Sequence, residues 1–278
     1  MNAGLIYKLK VLRKTPIGYI LTDGTNEVFM HNNESLYELT AGDMVEVFLY
    51  YDSERRLAAS QTIPNATVNN PGWAVVEDRI KSGIFVNIGI SKGVLIDKEY
   101  LPYDFSAWPN RDDKLFVILK EKNNRLVAKV VNNNDAKKYS IDENIKEDDE
   151  VTAYVQRINE EGYILYTDNL SIIYLHKTQV RNKLRLGEKI KVKVTRIDER
   201  GIHSTTIEQK ENMIDQDKEV VLKYITEHHF VYIDVTPEFV LENFNMSKKA
   251  YKRAIGSLYK ERLIQIDNDK YVINTIDK

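Results

Sequence analysis

Residues 189–196 read KIKVKVTR, in which cationic and apolar side chains alternate without a break. Successive side chains of a β-strand point to opposite faces, so this period of two predicts a strand. The apolar residues are expected to face a core: Ile190, Val192 and Val194. The basic residues are expected to share the opposite face: Lys189, Lys191, Lys193 and Arg196.

The charge of this strand is notable because the whole chain is nearly neutral, with 40 Lys and Arg against 42 Asp and Glu. Further basic residues precede the strand: Lys177, Arg181, Lys183 and Arg185. Positive charge gathered on one face indicates a polyanionic partner. If about four of these cations contacted the phosphates of a single strand, log K for binding would fall with log salt at a slope of roughly −3.

The same alternation recurs at residues 45–49 and 115–119, which indicates an internal repeat. Each copy also has an earlier glycine turn, at Gly18, Gly83 or Gly162, followed by two short apolar strands. About five short strands in so short a repeat predict a small closed barrel, because such a sheet must curl to cover its apolar face. We therefore predict a mainly β chain with three OB-fold barrels, joined in part by a linker at 132–149. The barrels are predicted at residues 1–63, 67–131 and 150–209.

After about residue 210 the apolar period changes from 2 to 3.6, which indicates helices. One helix is predicted at 217–228, a second begins after a Thr236 cap, and a third runs from a Ser247 cap to about residue 261. A hairpin is predicted at 263–273. This order of helices followed by a hairpin predicts a winged helix, an α+β module, at residues 213–278.

Two segments of the second repeat carry a family resemblance. Residues 83–86 (GIFV) and 93–100 (GVLIDKEY) resemble the Gly-x-Phe-Val and Gly-Leu-Val-His-x-Ser-Glu-Leu segments of the OB-type RNA-binding repeat known as the S1 domain. In this alignment Ile96 stands where the family usually has His. The first copy keeps His31 and the third keeps His176.

The tail extends the resemblance to the whole chain. Residues 246–260 (MSKKAYKRAIGSLYK), with the hairpin that follows and the three preceding repeats, resemble the conserved virulence factor B family of bacterial regulators. The resemblance implies RNA binding linked to the control of gene expression.

Strand faces give candidate stacking residues. Alternation leaves aromatic or His side chains on the outside of each barrel: Phe29, His31, Phe85, Tyr174 and His176. Each base stacked on such a ring would contribute roughly 1–3 kcal/mol without requiring a particular base. The resemblance implies that Phe29, Phe85 and Tyr174 lie on the nucleic-acid face, with Val94 in the place of Phe29 in the second repeat.

Packing against a core or a neighbouring domain is the alternative role for these rings. Phe48 and Tyr50 also point outward by alternation, but no basic residues accompany them. We expect these two side chains to pack against a neighbouring domain.

The last predicted helix offers a second binding surface. At 100° per residue, its basic residues fall on one side, and Tyr251, Ala254, Ile255 and Leu258 fall on the other. The basic residues, beside small Gly256, are Lys249, Lys252, Arg253 and Lys260. This face could contact RNA, duplex DNA or protein.

Several function classes are disfavoured by composition. The chain has no cysteine and no apolar run long enough to span a membrane. Its first residues lack a basic segment followed by an apolar one, so we expect no cleaved secretion signal. It has no Walker loop, dinucleotide fingerprint or His-x-x-x-His pair. We therefore expect a cytoplasmic protein without enzymatic activity, cofactor, metal or membrane partner.

We predict an RNA-binding regulatory protein whose linked barrels bind single-stranded RNA by avidity, since the linkers would keep the local concentration of weak sites high. Two alternatives remain open. The first is a DNA-binding transcription factor led by the winged helix, and the second is a protein-interaction scaffold.

Overall fold

The computed structural model describes residues 1–141, 144–180, 182–206 and 210–274. The predicted end of the third barrel at residue 209 and that of the winged helix at 278 lie outside these ranges. The chain divides into two compact units, Met1–Thr206 and Ile207–Lys278. Among the described residues, no helix is both long and apolar enough to cross a membrane.

The first unit contains three closed five-stranded barrels. Barrel 1 comprises β1 (Ile6–Thr15), β2 (Gly18–Thr22), β3 (Glu27–His31), β4 (Met44–Tyr51) and β5 (Leu57–Ser60). Barrel 2 comprises β6 (Gly72–Ile80), β7 (Gly83–Asn87), β8 (Val94–Asp97), β9 (Lys114–Glu121) and β10 (Leu126–Val130). Barrel 3 comprises β11 (Glu150–Ile158), β12 (Gly162–Tyr166), β13 (Ile172–His176), β14 (Lys189–Asp198) and β15 (Gly201–Thr206).

Each barrel closes in the same way. The first strand pairs with the second and the fourth, and the third and fifth strands pair in parallel. The first strand of every barrel shifts register after Val11, Val76 or Val155, as a β-bulge does. A bulge bends a strand and increases its twist, which lets one strand serve two neighbours in so small a barrel.

The glycine turns are sterically required. A Cβ on Gly83 would collide with the carbonyl oxygen of Ile96, and one on Gly162 would collide with that of Leu175. Both glycines also have positive φ. In each barrel the repeated glycine is the first residue of the second strand, where the backbone lies in close contact with the third strand.

The predicted alternation of β14 is confirmed. Val192 and Val194 are fully buried in barrel 3, Ile190 is half-buried, and Lys189 and Lys191 are exposed. The other barrels have matching interiors, with Leu21, Met30 and Val47 among the buried residues of barrel 1.

Barrel 1 packs against barrel 2 through residues of β4. Phe48 of β4 is fully buried in the cluster of barrel 2, and Tyr50 packs against the same cluster. The connecting segment pairs with both barrels, because Val68 donates its N–H to the Gly4 carbonyl (3.0 Å) and Thr67 accepts from the Leu119 N–H (3.0 Å). The expectation that Phe48 and Tyr50 pack against a neighbouring domain is confirmed.

Barrels 2 and 3 are joined by aromatic and polar contacts. The Trp73 ring lies 5.3 Å from that of Tyr154, and its indole N–H donates to the Asp168 carbonyl (3.0 Å). A buried cluster spans the junction: Phe116, Val131, Ala136, Ile164, Tyr166 and Leu170. Ala136 belongs to the short helix α1 (Asn133–Ala136), so the segment predicted as a linker takes part in this packing.

Two polar bridges complete the junction. The Gln156 side chain accepts from the Phe116 N–H (2.8 Å) and donates to the Lys114 carbonyl (2.9 Å). The Arg185 guanidinium donates twice to the Asp113 carboxylate (2.8 and 3.2 Å). The prediction of barrels tethered by linkers is therefore wrong for this unit, because the barrels bury side chains against one another.

The second unit is a winged helix. It comprises α2 (Lys210–His228), β16 (Val231–Tyr232), α3 (Pro237–Phe244), α4 (Lys248–Lys260), β17 (Ile264–Asp267) and β18 (Lys270–Ile273). The sheet order is β16-β18-β17. Thr236 and Ser247 cap α3 and α4 through their hydroxyl oxygens, as predicted, whereas α2 begins earlier than residue 217.

Candidate nucleic-acid interface

Strand register defines equivalent positions on the outer walls of the barrels. In barrel 1, Ile20 of β2 lies opposite Phe29 of β3. In barrel 3, Ile164 lies opposite Tyr174. The corresponding pair in barrel 2 is Phe85 and Leu95. No wall has two aromatic rings at this pair of positions.

The predicted alignment of β8 with the S1 segment, which places Ile96 at the usual His, is wrong by one residue. Gly83 pairs with Asp97, whereas the equivalent glycines of barrels 1 and 3 pair with His31 and His176. Asp97 therefore replaces the usual His, and Ile96 is fully buried inside the barrel. Leu95, not Val94, occupies the Phe29 position. A shift of one residue in a strand moves a side chain to the opposite face, which is why the error matters.

Phe85 is half-buried and lines a cleft of about 620 Å³ between barrels 1 and 2. We call this space the inter-barrel cleft. It is bounded by the β7–β8 wall, the β4–β5 hairpin of barrel 1 and the β9–β10 hairpin of barrel 2. Its lining includes Tyr50, Tyr51, Arg55, Lys92, Leu95 and Arg125. Its volume lies within the roughly 300–1,000 Å³ typical of sites that enclose a small ligand.

The acidic residues of the cleft have basic partners. Asp52 accepts from Nε (2.9 Å) and Nη2 (2.8 Å) of Arg56, and Asp97 pairs with Lys122 (3.1 Å). Hydrogen bonds from Lys122 to Glu99 and Asp97 raise the pKa of its ammonium group. Burial, with Glu34 and Asp52 nearby, raises the pKa of Tyr50 to about 12, so this phenol stays neutral.

Three cations of the cleft lack such compensation. Arg55 and Arg125 are exposed and form no ion pair with any described residue. The Lys92 ammonium donates to the neutral carbonyl of Tyr51 (3.0 Å) and so keeps its charge uncompensated. The cleft therefore combines an aromatic face with three cations that form no ion pair with any described residue.

Phe29 and His31 point outward from barrel 1 as predicted. Phe29 is half-buried, and its ring meets that of His31 edge-on with centroids 6.3 Å apart. His31 Nδ1 accepts from the Asn33 N–H (3.1 Å), so this nitrogen caps the next turn. The Nδ1 atom of His176 has the same role, accepting from Thr178 (3.3 Å).

Tyr174 packs against a neighbouring barrel, which is the alternative to base stacking that the sequence left open. It packs against the buried cluster between barrels 2 and 3. Its other neighbours are the His203 ring, with centroids 6.0 Å apart, and Gly201, which has no side chain to displace it. The wall of barrel 3 is thus partly used in holding the barrels together.

The basic strip of β14 is not an unopposed cationic surface. Lys191 pairs with Glu150 (2.6 Å), Lys193 with Asp148 (2.7 Å) and Arg196 with Asp198 (2.9 Å). The Asp148 carboxylate raises the pKa of Lys193 by accepting its hydrogen bond. The prediction of one uncompensated basic face is therefore wrong, because Glu150 of β11 and Asp148 just before it lie beside the strip, and Asp198 pairs within β14.

The basic residues before β14 are also dispersed. Lys177 donates to the Glu160 carbonyl (2.7 Å), and Arg185 is paired with Asp113 at the barrel junction. Lys183 and Lys189 are exposed. Arg181 lies outside the described residues.

The two faces of α4 are as predicted. Tyr251, Ala254, Ile255 and Leu258 are buried in the winged-helix core. The exposed face has four cations without an ion pair to any residue that the structure describes: Lys249, Lys252, Arg253 and Lys260. Gly256 on this face borders open space.

Comparison with known families identifies the domains. Residues 3–62 and 151–194 match the S1 domain, and residues 72–129 match the CvfB first S1-like domain. Residues 219–272 match the CvfB-like winged helix domain. The predicted mainly β fold, with S1-type barrels and a C-terminal winged helix, is confirmed. Both kinds of domain occur widely in nucleic-acid-binding proteins.

Whole-chain relatives agree with these matches. The chain is 32% identical over 277 residues to uncharacterized protein YitL of Bacillus subtilis (strain 168), covering 96% of this chain and 92% of that one. It is 27% identical over 277 residues to conserved virulence factor B of Staphylococcus haemolyticus (strain JCSC1435), covering 96% and 93%. A crystal structure of a multidomain protein with nucleic acid binding domains, from Streptococcus pneumoniae TIGR4, has the same fold. It shares 22% identity at a TM-score of 0.66 and covers 98% of both chains.

Proposed function

Because this chain belongs to the conserved virulence factor B family, we propose that it is a cytoplasmic regulator that binds single-stranded RNA and acts on gene expression without catalysis. The S1-type barrels and the winged helix support the broader role of a nucleic-acid-binding regulatory protein. Single-stranded RNA is the more specific part of the proposal.

The inter-barrel cleft is the observation that carries this proposal. Its Phe85 ring is accessible on the wall that S1-type barrels use, and Lys92 and Arg125 line the same cleft without an acidic partner in the described part of the chain. A recessed aromatic ring suits an unpaired base, which can be turned out of its strand and stacked. Bases within a duplex are already stacked on one another, so a duplex could not use Phe85 in this way.

The proposal can be tested by fluorescence anisotropy of a labelled single-stranded RNA with the full chain. Phe85→Ala should weaken binding by about 5- to 150-fold, which corresponds to the loss of about 1–3 kcal/mol of stacking. Tyr103→Ala is the matched control, because Tyr103 is a fully exposed aromatic residue of barrel 2 outside the cleft. It should bind like the unchanged protein.

Competition separates the proposed ligand from the alternatives. Unlabelled single-stranded RNA should displace the probe better than duplex DNA of equal length, and the RNA should remain intact on a gel after incubation. Failure of the RNA to bind even in dilute buffer would refute the proposal. Stronger competition by duplex DNA would favour the transcription-factor alternative.

The exposed cations of α4 support a second candidate function for the winged helix, namely contact with a nucleic-acid backbone. Lys252→Gln with Arg253→Gln should weaken binding uniformly across sequences and make the salt slope less negative by roughly 1.4 for single-stranded RNA. An unchanged salt slope would instead favour a protein-docking role for this helix.

A further inference from the structure

The lining of the inter-barrel cleft comes from two barrels. Phe85, Leu95 and Lys92 belong to barrel 2, whereas Tyr50, Tyr51 and Arg55 belong to the β4–β5 hairpin of barrel 1. A single S1-type barrel would present its wall and its own hairpin only. Here the hairpin of one barrel faces the wall of the next, so the recess exists only because the two barrels are packed together.

Direct bonds hold that hairpin in position. The Tyr51 hydroxyl donates to Glu121 of β9 (2.7 Å), and Lys92 donates to the Tyr51 carbonyl (3.0 Å). Nearby, Ser91 donates to Glu34 (2.7 Å). Since Phe48 of β4 is also buried in the core of barrel 2, the hairpin is fixed in place before any ligand arrives. A preorganised site avoids the cost of ordering itself on binding.

The hairpin also contributes charge. Arg56 pairs with both Asp52 and Glu54, and Arg55 forms no ion pair with any described residue. In barrel 2, Lys122 pairs with both Asp97 and Glu99, and Arg125 of the corresponding hairpin forms no ion pair with any described residue. Each hairpin therefore supplies to the same cleft one arginine without an ion pair to any described residue, and Phe85 lines the wall between them.

We infer that the inter-barrel cleft is a composite site in which one RNA strand lies between barrels 1 and 2. A base stacks on Phe85, and Arg55 and Arg125 hold phosphates of the same strand. Barrel 1 contributes through its hairpin and not through Phe29. This inference rests on the proposed function, because it specifies how the single strand is held.

The test measures RNA affinity of the full chain at several salt concentrations for Arg55→Gln, Arg125→Gln and the double variant. Each cation that contacts a phosphate of a single strand makes the slope of log K against log salt more negative by about 0.7. This corresponds to about a fivefold change in affinity for each tenfold change in salt concentration. Each single variant should therefore bind about fivefold more weakly at 0.1 M salt. Each should also have a slope less negative by about 0.7, and the double variant by about 1.4.

Lys8→Gln provides the matched control. Lys8 is an exposed cation of barrel 1 that does not line the cleft. If Lys8→Gln weakens binding as much as Arg55→Gln, the effect is that of general charge and the composite site is refuted. Both arginines are exposed, so unchanged thermal unfolding of the variants would exclude misfolding as the cause of weaker binding.

Failure of this inference differs from failure of the proposed function. If the unchanged protein does not bind RNA, the proposed function itself is refuted. If Phe85→Ala and Arg125→Gln weaken binding but Arg55→Gln changes neither affinity nor slope, barrel 2 binds alone. The composite site is then wrong while the proposed function stands.

Discussion

The packing of barrel 3 on barrel 2 predicts a large effect of a single side chain, Gln156. This residue is buried, and its amide satisfies both the Phe116 N–H and the Lys114 carbonyl on β9. Gln156→Met keeps the length of the side chain but removes both hydrogen bonds. Leaving a buried polar group without a partner costs about 1–3 kcal/mol, and two groups are affected here. After some gain from the more apolar Met, we expect the free energy of unfolding to fall by about 2–4 kcal/mol.

The chain provides its own probe for this experiment. Its two tryptophans, Trp73 and Trp108, both lie in barrel 2, and Trp73 contacts Tyr154 of barrel 3. Urea unfolding followed by tryptophan fluorescence should show a lower midpoint for Gln156→Met at an unchanged m value.

Gln179→Met is the control for this prediction. Gln179 is also in barrel 3, but it is exposed, so the change should be within about 0.5 kcal/mol. Equal unfolding free energies for the two variants would refute the inference that Gln156 holds the barrels together. A lower m value would indicate that barrel 3 separates before barrel 2 unfolds.

Four further outcomes are expected. Asp113→Asn should lower the free energy of unfolding by about 2 kcal/mol in urea titrations, because it breaks the largely buried ion pair with Arg185. Glu150→Gln breaks the exposed pair with Lys191 and should change the same free energy by less than about 0.5 kcal/mol. Lys191→Gln should change RNA affinity less than twofold by anisotropy, since Lys191 is already paired; a loss as large as that of Arg125→Gln would restore the β14 strip as a binding face. Gly256→Ala should stabilise the winged helix by about 0.5–1 kcal/mol in thermal unfolding followed by circular dichroism, because its added methyl group meets open space, and destabilisation would contradict that geometry. Hydrogen bonds from the Asn26 and Thr25 N–H groups lower the pKa of Asp23 to about 2, so NMR should show its carboxyl titrating near pH 2. The contribution of this carboxylate to stability is fully present above its unfolded pKa, near 4, and is lost as the pH falls toward 2.

The fold could be predicted from the sequence because local periodicity and glycine turns repeat three times. The alternation of Val192 and Val194 set the inward face of β14, and Thr236 and Ser247 marked two helix starts. The register of β8 could not be read in the same way. Val94, Leu95 and Ile96 are all apolar, so they give no alternation to fix the face.

The bulges show a second limit of sequence patterns. Gln156 lies where β11 shifts register, and the equivalent positions in barrels 1 and 2 are Leu12 and Glu77. A bulge redirects a side chain out of the alternating pattern. Gln156 thereby reaches the backbone of barrel 2, while Leu12 is exposed and Glu77 bonds Asn87. Nothing in the local sequence of β11 distinguishes this bridging role from that of a solvated polar residue.

The charge pattern along β14 does not predict its surface charge for a related reason. The cations of β14 are adjacent in sequence, but their acidic partners approach from β11 and the segment before it. Conversely, the hairpins of the cleft read as mixed charge: residues 52–56 are DSERR and residues 121–125 are EKNNR. In the first hairpin Arg56 pairs with both Asp52 and Glu54, whereas in the second Glu121 accepts from the Tyr51 hydroxyl of barrel 1. Arg55 and Arg125 form no ion pair with any described residue.

In a nearly neutral chain, the site of positive potential therefore depends on which cations remain after pairing and not on where basic residues are most frequent. The packing of barrel 1 on barrel 2 brings Arg55 and Arg125 to one cleft, although they come from the hairpins of separate repeats. Phe48 of β4 is buried in barrel 2 and contributes to that packing. It thereby helps to hold the hairpin that carries Arg55 beside the cleft. A polyanion would then be attracted to the junction of the two repeats, at two arginines that neither hairpin sequence singles out.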